Sequence, residues 1–239
     1  MRVLALDTTT RGGSAALIED DRVVDQRAGD PSRTHAERLP AEMLALLAPR
    51  HLDPSGVDLF AVASGPGSFT GLRVGIATVQ GLALVTGRPL VAVSALEALA
   101  YSASAAVGAG GRVAALMDGY RRDVFAALYE VTAPHDDLDR LRELDGPTVG
   151  DPEATLERWR DALGHQQAVF VGDGAVLYED VVRRARGADA LVLPAPLLAG
   201  AIGRLAARDL GRGAPSNPAA VHPLYVRRPD AEVARDARR

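Results

Sequence analysis

The chain has 239 residues, 47% hydrophobic and 24% charged, enough apolar material for one large core or two modest ones. It contains no cysteine, which excludes disulfide frameworks and thiolate metal sites, and its formal charge of −4 gives no overall basic field for gripping nucleic acid. All 27 basic residues are arginine, a bias from which no function follows.

The N-terminus lacks the basic, apolar and small-residue succession of a secretion signal, so a cytoplasmic protein is expected. Arg2 to Asp7 is an apolar run, and Gly12-Gly13 then opens Ser14 to Glu19 and, after Asp20-Asp21, Arg22 to Arg27, which predicts a three-stranded meander. Thr34-His35-Ala36-Glu37 matches a capping box, and Leu39, Met43, Leu46 and Leu47 recur at helical spacing, with Pro40 expected to kink the helix early. A strand from Leu59 to Ala63, a glycine turn and a helix to about Thr86 come next. Pro89 to Val93 is a further strand, and Ser94-Ala-Leu-Glu97 is a second capping box opening another helix. The apolar run Val74 to Gly87 is broken by Gln80 and three glycines, which predicts a buried helix and no membrane contact.

Small residues from Ala103 to Gly111 predict a linker to a second unit. There, Arg112 to Asp118 and Val124 to Val131 flank the turn Gly119 to Asp123 as a hairpin. A helix runs from Asp151-Pro152 to Leu163, and a short strand from Ala168 to Val171 ends in Gly172-Asp173-Gly174. Val176 to Arg186 and Pro196 to Leu210 are helical. The tail from Gly213, with Pro215, Pro218, Pro223 and Pro229, is expected to be extended and frayed. The expected organisation is an α/β domain over residues 1–105, a smaller α/β domain over 106–212, and a tail over 213–239.

The most informative stretch runs from Leu59 through Gly65-Pro66-Gly67-Ser68-Phe69-Thr70-Gly71 to Gly75. A glycine turn between strand and helix gathers backbone N–H groups at the positive end of the helix dipole, where an anion can sit. A P-loop needs Gly-Lys-Ser/Thr, but Gly71 is followed by Leu72 and Arg73. The dinucleotide fingerprint needs an earlier third glycine and an acid about twenty residues on. The plainer reading is that the glycines serve positive φ and close packing, with Ser68 or Thr70 capping the helix.

The motifs Leu4-Ala-Leu-Asp7-Thr-Thr-Thr10, His35 followed by Leu39-Pro40, and Gly65-Pro-Gly-Ser-Phe-Thr-Gly-Leu-Arg-Val-Gly75 together resemble the TsaB (YeaZ) family. Pro89 to Ser94, Met117-Asp118 ahead of Val124 to Tyr129, and Pro223-Leu-Tyr-Val-Arg227 extend the match almost end to end. The resemblance implies an actin/Hsp70-like (ASKHA) fold of two tandem related α/β domains, the second reduced. It implies a role in making threonylcarbamoyladenosine beside the anticodon of tRNA, with two partners: a TsaD-like catalytic relative and a TsaE-like ATPase.

The same resemblance sets the catalytic relative's metal-binding His-x-x-x-His pair against Ala95-Leu-Glu-Ala-Leu99, where neither end can hold a metal. No catalytic residue and no cofactor are expected in this chain; ATP and a metal are expected in the partners. His35, beside a helix start without a nucleophile, reads as a half-exposed capping-turn residue. Asp7, Thr8, Thr9, Gly65, Gly67 and Ser68 are candidates for a vestigial nucleotide or anion site, though structural turn-making is the simpler role. Asp118 and Asp173 read as scaffold features of the second unit.

The helix beginning at Thr70 has one charge, Arg73, in its first fifteen residues, more apolar surface than one sheet contact requires. A wheel places Arg73, Ile76, Ala77, Gln80 and Leu84 opposite the glycine face. With Leu39, Met43 and Leu46 of the preceding helix they form the expected interface, as half of a four-helix bundle with a TsaD-like subunit or, alone, a second copy. The expected function is a scaffold that activates its catalytic relative and reaches tRNA through the complex. The alternative is an actin-like small-molecule kinase or ATPase resting on Asp7; a peptidase, with no Ser/His/Asp pattern, comes last.

Overall fold

The computed structural model describes residues 1–134 and 137–227. Strands β1 (Arg2–Asp7), β2 (Ser14–Glu19) and β3 (Arg22–Ala28) form an antiparallel meander. β4 (Leu59–Gly65) and β5 (Leu90–Ser94) extend it in parallel on the other side of β1, giving the order β3-β2-β1-β4-β5. Helices α1 (His35–Leu47), α2 (Phe69–Thr86) and α3 (Ala95–Ala103) follow β3, β4 and β5.

The second unit repeats this plan. β6 (Arg112–Asp118), β7 (Val124–Val131) and β8 (Leu141–Gly150) are antiparallel. β9 (Ala168–Val171) and β10 (Leu191–Leu193) run parallel to β6, so the order β8-β7-β6-β9-β10 copies the first sheet. α4 (Pro152–Arg158) and α5 (Arg160–Leu163) follow β8, α6 (Asp173–Leu177) and α7 (Glu179–Arg186) follow β9, and α8 (Ala199–Gly211) follows β10. The second unit is reduced in its parallel strands: β9 and β10 have 4 and 3 residues where β4 and β5 have 7 and 5.

Strand alternation sorts the side chains into three cores. Val3, Ala5, Ile18, Ala61 and Val91 of the first sheet face Val113, Ala115, Ala127 and Val169 of the second, with α3 and α8 between them. Leu4, Leu6, Leu17, Phe60 and Val62 point the other way, under α1 and α2. Ala114, Leu116, Ala126 and Phe170 do the same under α4 to α7 with Trp159. α8, although it ends the second unit in sequence, packs on β1, β2 and β4 of the first sheet. Gly203 permits the approach, since a Cβ there would stand 2.3 Å from Ile18 Cδ1.

Several elements differ from the sequence expectation. β8 and β10 were not expected; the first carries Gly146-Pro147 inside it and register shifts against β7, and the second is only 3 residues long. The helix expected from Asp151 to Leu163 breaks at Trp159, and that expected from Val176 to Arg186 starts at Asp173 and breaks at Tyr178. α8 begins at Ala199, past Pro196. The Thr34 box forms in part, its amide donating to Glu37 Oε2 at 2.8 Å. At Ser94, Oγ accepts from the Glu97 amide at 3.4 Å, while the Glu97 carboxylate instead accepts from Arg208 at 2.8 Å.

The tail over residues 213–227 is extended but not frayed. Leu90 N donates to Ser216 O, Gln80 Nε2 donates to Pro218 O and Val221 O, and Leu224 N donates to Ser64 O at 2.7 Å. Val221 is buried in the core beneath α2. Residues 228–239 of the expected tail, and Pro229 with them, lie outside the described residues.

Candidate functional site

The glycine turn is built to lie on the loop after β1. Ser68 N donates to Thr9 O at 2.8 Å, and Ser68 Oγ caps α2 by accepting from Gly71 N at 3.2 Å. Gly65 and Gly67 have φ of 115° and 158°. A Cβ on Gly67 would lie 2.6 Å from Thr9, one on Gly71 2.3 Å from Thr8 O, and one on Gly75 2.2 Å from Thr8 Oγ1. The small-residue face of α2 is therefore consumed by contact with Thr8 and Thr9 of the same chain.

Asp7 is buried, and its carboxylate accepts from Thr9 N at 2.9 Å and Thr9 Oγ1 at 2.7 Å. Burial pushes this carboxyl above its ordinary range, and the two Thr9 hydrogen bonds only partly offset that. Asp173 Oδ1 accepts from Asp118 N and Gly174 N, and Asp118 Oδ1 accepts from Tyr120 N at 2.8 Å. Asp7 and Asp118 hold their own loops and Asp173 also ties its turn to the end of β6, and among the described residues no three His, Asp or Glu side chains converge as a metal-binding group. Ala95 and Leu99, at the start of α3, are fully buried in the inter-sheet core.

His35 is half-buried, with Nε2 3.2 Å from Thr10 O and Nδ1 2.7 Å from Arg38 Nη2. The network assigns a neutral ring that donates through Nε2 and accepts through Nδ1. Burial and the Arg38 charge both hold its pKa below the usual histidine value. Arg38 itself is only 2% exposed: it pairs with Glu42 at 2.5 Å and donates to the Gly12 carbonyl, pinning the β1–β2 loop. Nothing in the sequence singled it out, because an arginine among α1's apolar positions looks like a solvent-facing residue.

The outer helices divide sharply. Leu39, Met43, Leu46 and Ile76, expected at the interface, are buried in this chain's own core under the first sheet. They offer no surface to a partner. The correction for Ile76 is geometric: it lies on the face of Leu72, Val79 and Ala83 that meets the sheet. Arg73, Ala77 and Leu84 are exposed, and Gln80 is half-buried because it holds the tail. Beside them stand Leu44 (51%), which closes α1's apolar arc in the sequence, and exposed residues that sequence reasoning missed: Val85 (89%), Gly81, Pro40, Ala41 and Ala45. α2 is long and apolar enough to cross a membrane by length and composition alone; 33% of it is buried, in the stripe that packs on the first sheet.

Between the units lies a cavity of about 510 Å³, walled by Gly67, Phe69 and Leu72 of the first, Gly119, Tyr120 and Phe125 of the second, and the tail. Phe69 stacks on Tyr225 at 5.2 Å, and Arg73 lies 4.0 Å over the Phe69 ring while its Nε donates to the Tyr225 hydroxyl at 2.8 Å.

Two copies of one strand order, with α3 and α8 between the sheets, define a protein of two tandem α/β units. A family model described as TsaD, tRNA N6-adenosine threonylcarbamoyltransferase, matches residues 29–234. The chain is 33% identical over 193 residues to the tRNA threonylcarbamoyladenosine biosynthesis protein TsaB of Escherichia coli K12, covering 74% of this chain and 81% of that one. It is 30% identical over 232 residues to an uncharacterized protein of Mycobacterium bovis, covering 96% and 93%. The solved structure of YeaZ from Pseudomonas aeruginosa superposes with a TM-score of 0.74 at 31% identity, covering 94% and 99% of the two chains. The chain belongs to the TsaB (YeaZ) family and has a role in tRNA threonylcarbamoyladenosine biosynthesis.

Proposed function

We propose that this chain is the scaffold subunit of a threonylcarbamoylating complex, docking its catalytic, TsaD-like relative on the outward face of α1 and α2 and holding it in an active arrangement. The observation that carries the reading is the apolarity of that face: Pro40, Ala41, Leu44 and Ala45 on α1 and Ala77, Gly81, Leu84 and Val85 on α2 are all exposed and uncharged. Exposed apolar surface of this kind on neighbouring helices marks a contact. Paired with two helices of the partner it forms a four-helix bundle, and in isolation it serves a second copy of this chain. The chemistry then belongs to the partners, with ATP and metal in the TsaD-like and TsaE-like subunits and tRNA reached through the complex. The carboxylate of Asp7 is committed to Thr9, which weighs against the kinase alternative.

The double variant Ala77→Arg, Leu84→Arg tests the face. Copurification with the TsaD-like subunit is expected to be lost while circular dichroism stays unchanged; survival of the complex shows the face to be misplaced. Reconstitution tests the role: formation of threonylcarbamoyladenosine on tRNA by the TsaD-like and TsaE-like subunits without this chain removes the scaffold reading. Light scattering after size exclusion, with and without the partner, reads the copy number.

A further inference from the structure

We infer that residues 221–227 are a strap that latches the two units together across their cleft, and that its lock is Arg227 closed over a strained turn. The strap is anchored to the first unit through Val221, buried under α2, through Leu224 N donating to Ser64 O at 2.7 Å, and through Tyr225 stacked on Phe69 and bonded to Arg73. Its far end crosses to the second unit. There Arg227 Nη1 donates to Gly119 O at 2.6 Å, Nη2 pairs with Asp123, and the guanidinium stands 5.7 Å from the Phe125 ring centroid.

The turn that Arg227 grips is strained. Tyr120, Arg121 and Arg122 have φ of 56°, 56° and 68°, three consecutive side-chain-bearing residues in the left-handed region. Such a conformation persists only where the surroundings over-determine it. Gly119 N donates to Asp123 O at 2.9 Å, and Asp123 N to Tyr120 O at 3.0 Å. Arg227 adds a clamp from outside, reaching the carbonyl at the first residue of the turn and the carboxylate at the last. A guanidinium suits this because its rigid fork serves two acceptors at once.

The strap also forms one wall of the cavity, through Leu224 to Arg227, so the width of the cleft is set where Arg227 meets the turn. The tail holds Gln80 and Tyr225 holds Arg73, so the same segment braces the outward side of α2. Releasing Arg227 is expected to let the turn relax and the units separate at the cleft, pivoting on α3 and α8. The strap and its lock rest on contacts within this chain and do not depend on the proposed scaffold role.

The absence of cysteine makes the test clean. Spin labels on Ala36→Cys and Ala185→Cys, exposed alanines on the outer helices α1 and α7, report the distance between the units. With Arg227 intact a single narrow distance distribution is expected. In Arg227→Ala a second, longer population is expected, together with faster amide exchange at residues 119–123, while circular dichroism stays unchanged. Arg227→Lys keeps the charge but not the fork and is expected to give a smaller fraction of the longer population. If Arg227→Ala fails to fold, Asp123→Asn, which removes one acceptor from a surface turn, carries the same measurement. A distance distribution unchanged in the variant that folds overturns the latch.

Discussion

The two units share a strand order and differ in what their outer helices show to the outside. On α1 and α2 the exposed positions include Pro40, Ala41, Leu44, Ala45, Ala77, Gly81, Leu84 and Val85, and exposed charge is confined to Glu37 and Arg73 near the N-terminal ends of the two helices. On the second unit the corresponding helices are laced with ion pairs: Arg183 with Glu179, Arg184 with Asp180 and Glu153, and Arg160 with Glu157. Both units bury an equivalent inner stripe, Leu39, Met43, Ile76 and Val79 in one, Leu156, Trp159, Val181 and Val182 in the other. The strand order demands the inner stripe; it demands nothing of the outer face. Charge there suits a face in water, and its scarcity on α1 and α2 is the ground for the docking face proposed above.

The largest effect should separate inner from outer positions of one helix. Met43→Ala opens a cavity in the core beneath α1 and is expected to cost about 2–5 kcal/mol in urea unfolding. Leu44→Ala, one residue on but exposed, should change the stability of the isolated chain by less than about 0.5 kcal/mol. Equal losses at the two positions would mean that α1 does not sit as described and that its outer face is not free.

A second pair carries the division into α2. Gly75→Ala places a methyl 2.2 Å from Thr8 Oγ1, a short buried side chain with no room to withdraw, and is expected to destabilise by about 1–3 kcal/mol. Gly81→Ala meets nothing within 4 Å and should stabilise by about 0.5–1 kcal/mol through helix propensity. The two glycines look alike in the sequence. Opposite signs in thermal melts would show that only the first is there for packing, and two losses would break the claim that Gly81 faces open space.

That pair also marks the limit of what could be read from the chain. Periodicity located β1 to β7, α1 to α3 and the capping turns because each is long enough to repeat its pattern. It missed β8, whose Asp145-Gly146-Pro147 reads as a turn, and β10, too short to alternate. The helical wheel was right that α2 has more apolar surface than one sheet needs, yet it put Ile76 on the wrong side, because a helix apolar nearly all round does not reveal which arc meets the sheet. Motif reasoning saw the glycines at 65, 67 and 71 as serving the backbone but not what they approach, which is Thr9 for Gly67, Thr8 for Gly71, and Leu72 with the Leu224 carbonyl for Gly65. The contacts of Arg38 and Arg227 were invisible: their partners, the Gly12 and Gly119 carbonyls, are 26 and 108 residues away along the chain.

A smaller effect tests the charged side of the comparison. Arg184→Ala removes two exposed ion pairs from α7 and is expected to leave both the denaturation midpoint and capture of the TsaD-like subunit where they were. Loss of capture on this change would move the docking surface to the second unit.

The smallest effect concerns how each unit steadies its first hairpin. In the first unit the loop after β1 is held from α1 by His35 and Arg38; in the second the turn after β6 is held by Arg227. Only the first anchor contains a histidine. The folded state holds the His35 pKa below its ordinary value of 6.5, so the unfolded chain takes up the proton first and stability falls as pH drops below about 6.5 toward the folded value. Protonation also places a second cation 2.7 Å from Arg38 and removes the acceptor that Arg38 uses. Asp7 acts with the opposite sign, since its raised pKa makes the ionised form costly and the stability it contributes is lost as pH rises through the folded value. The Asp7 window starts at 3.8 and runs upward to its raised folded value, so its contribution opposes that of the histidine and the two are told apart by substitution. Between pH 7 and 5.5 the urea midpoint of the unchanged chain should fall relative to that of His35→Gln. Amide exchange localises it: faster opening at pH 5.5 is expected in residues 8–13 and not in 119–123. An equal response in both turns would mean the acid sensitivity does not come from His35, and that the two units steady their hairpins in the same way after all.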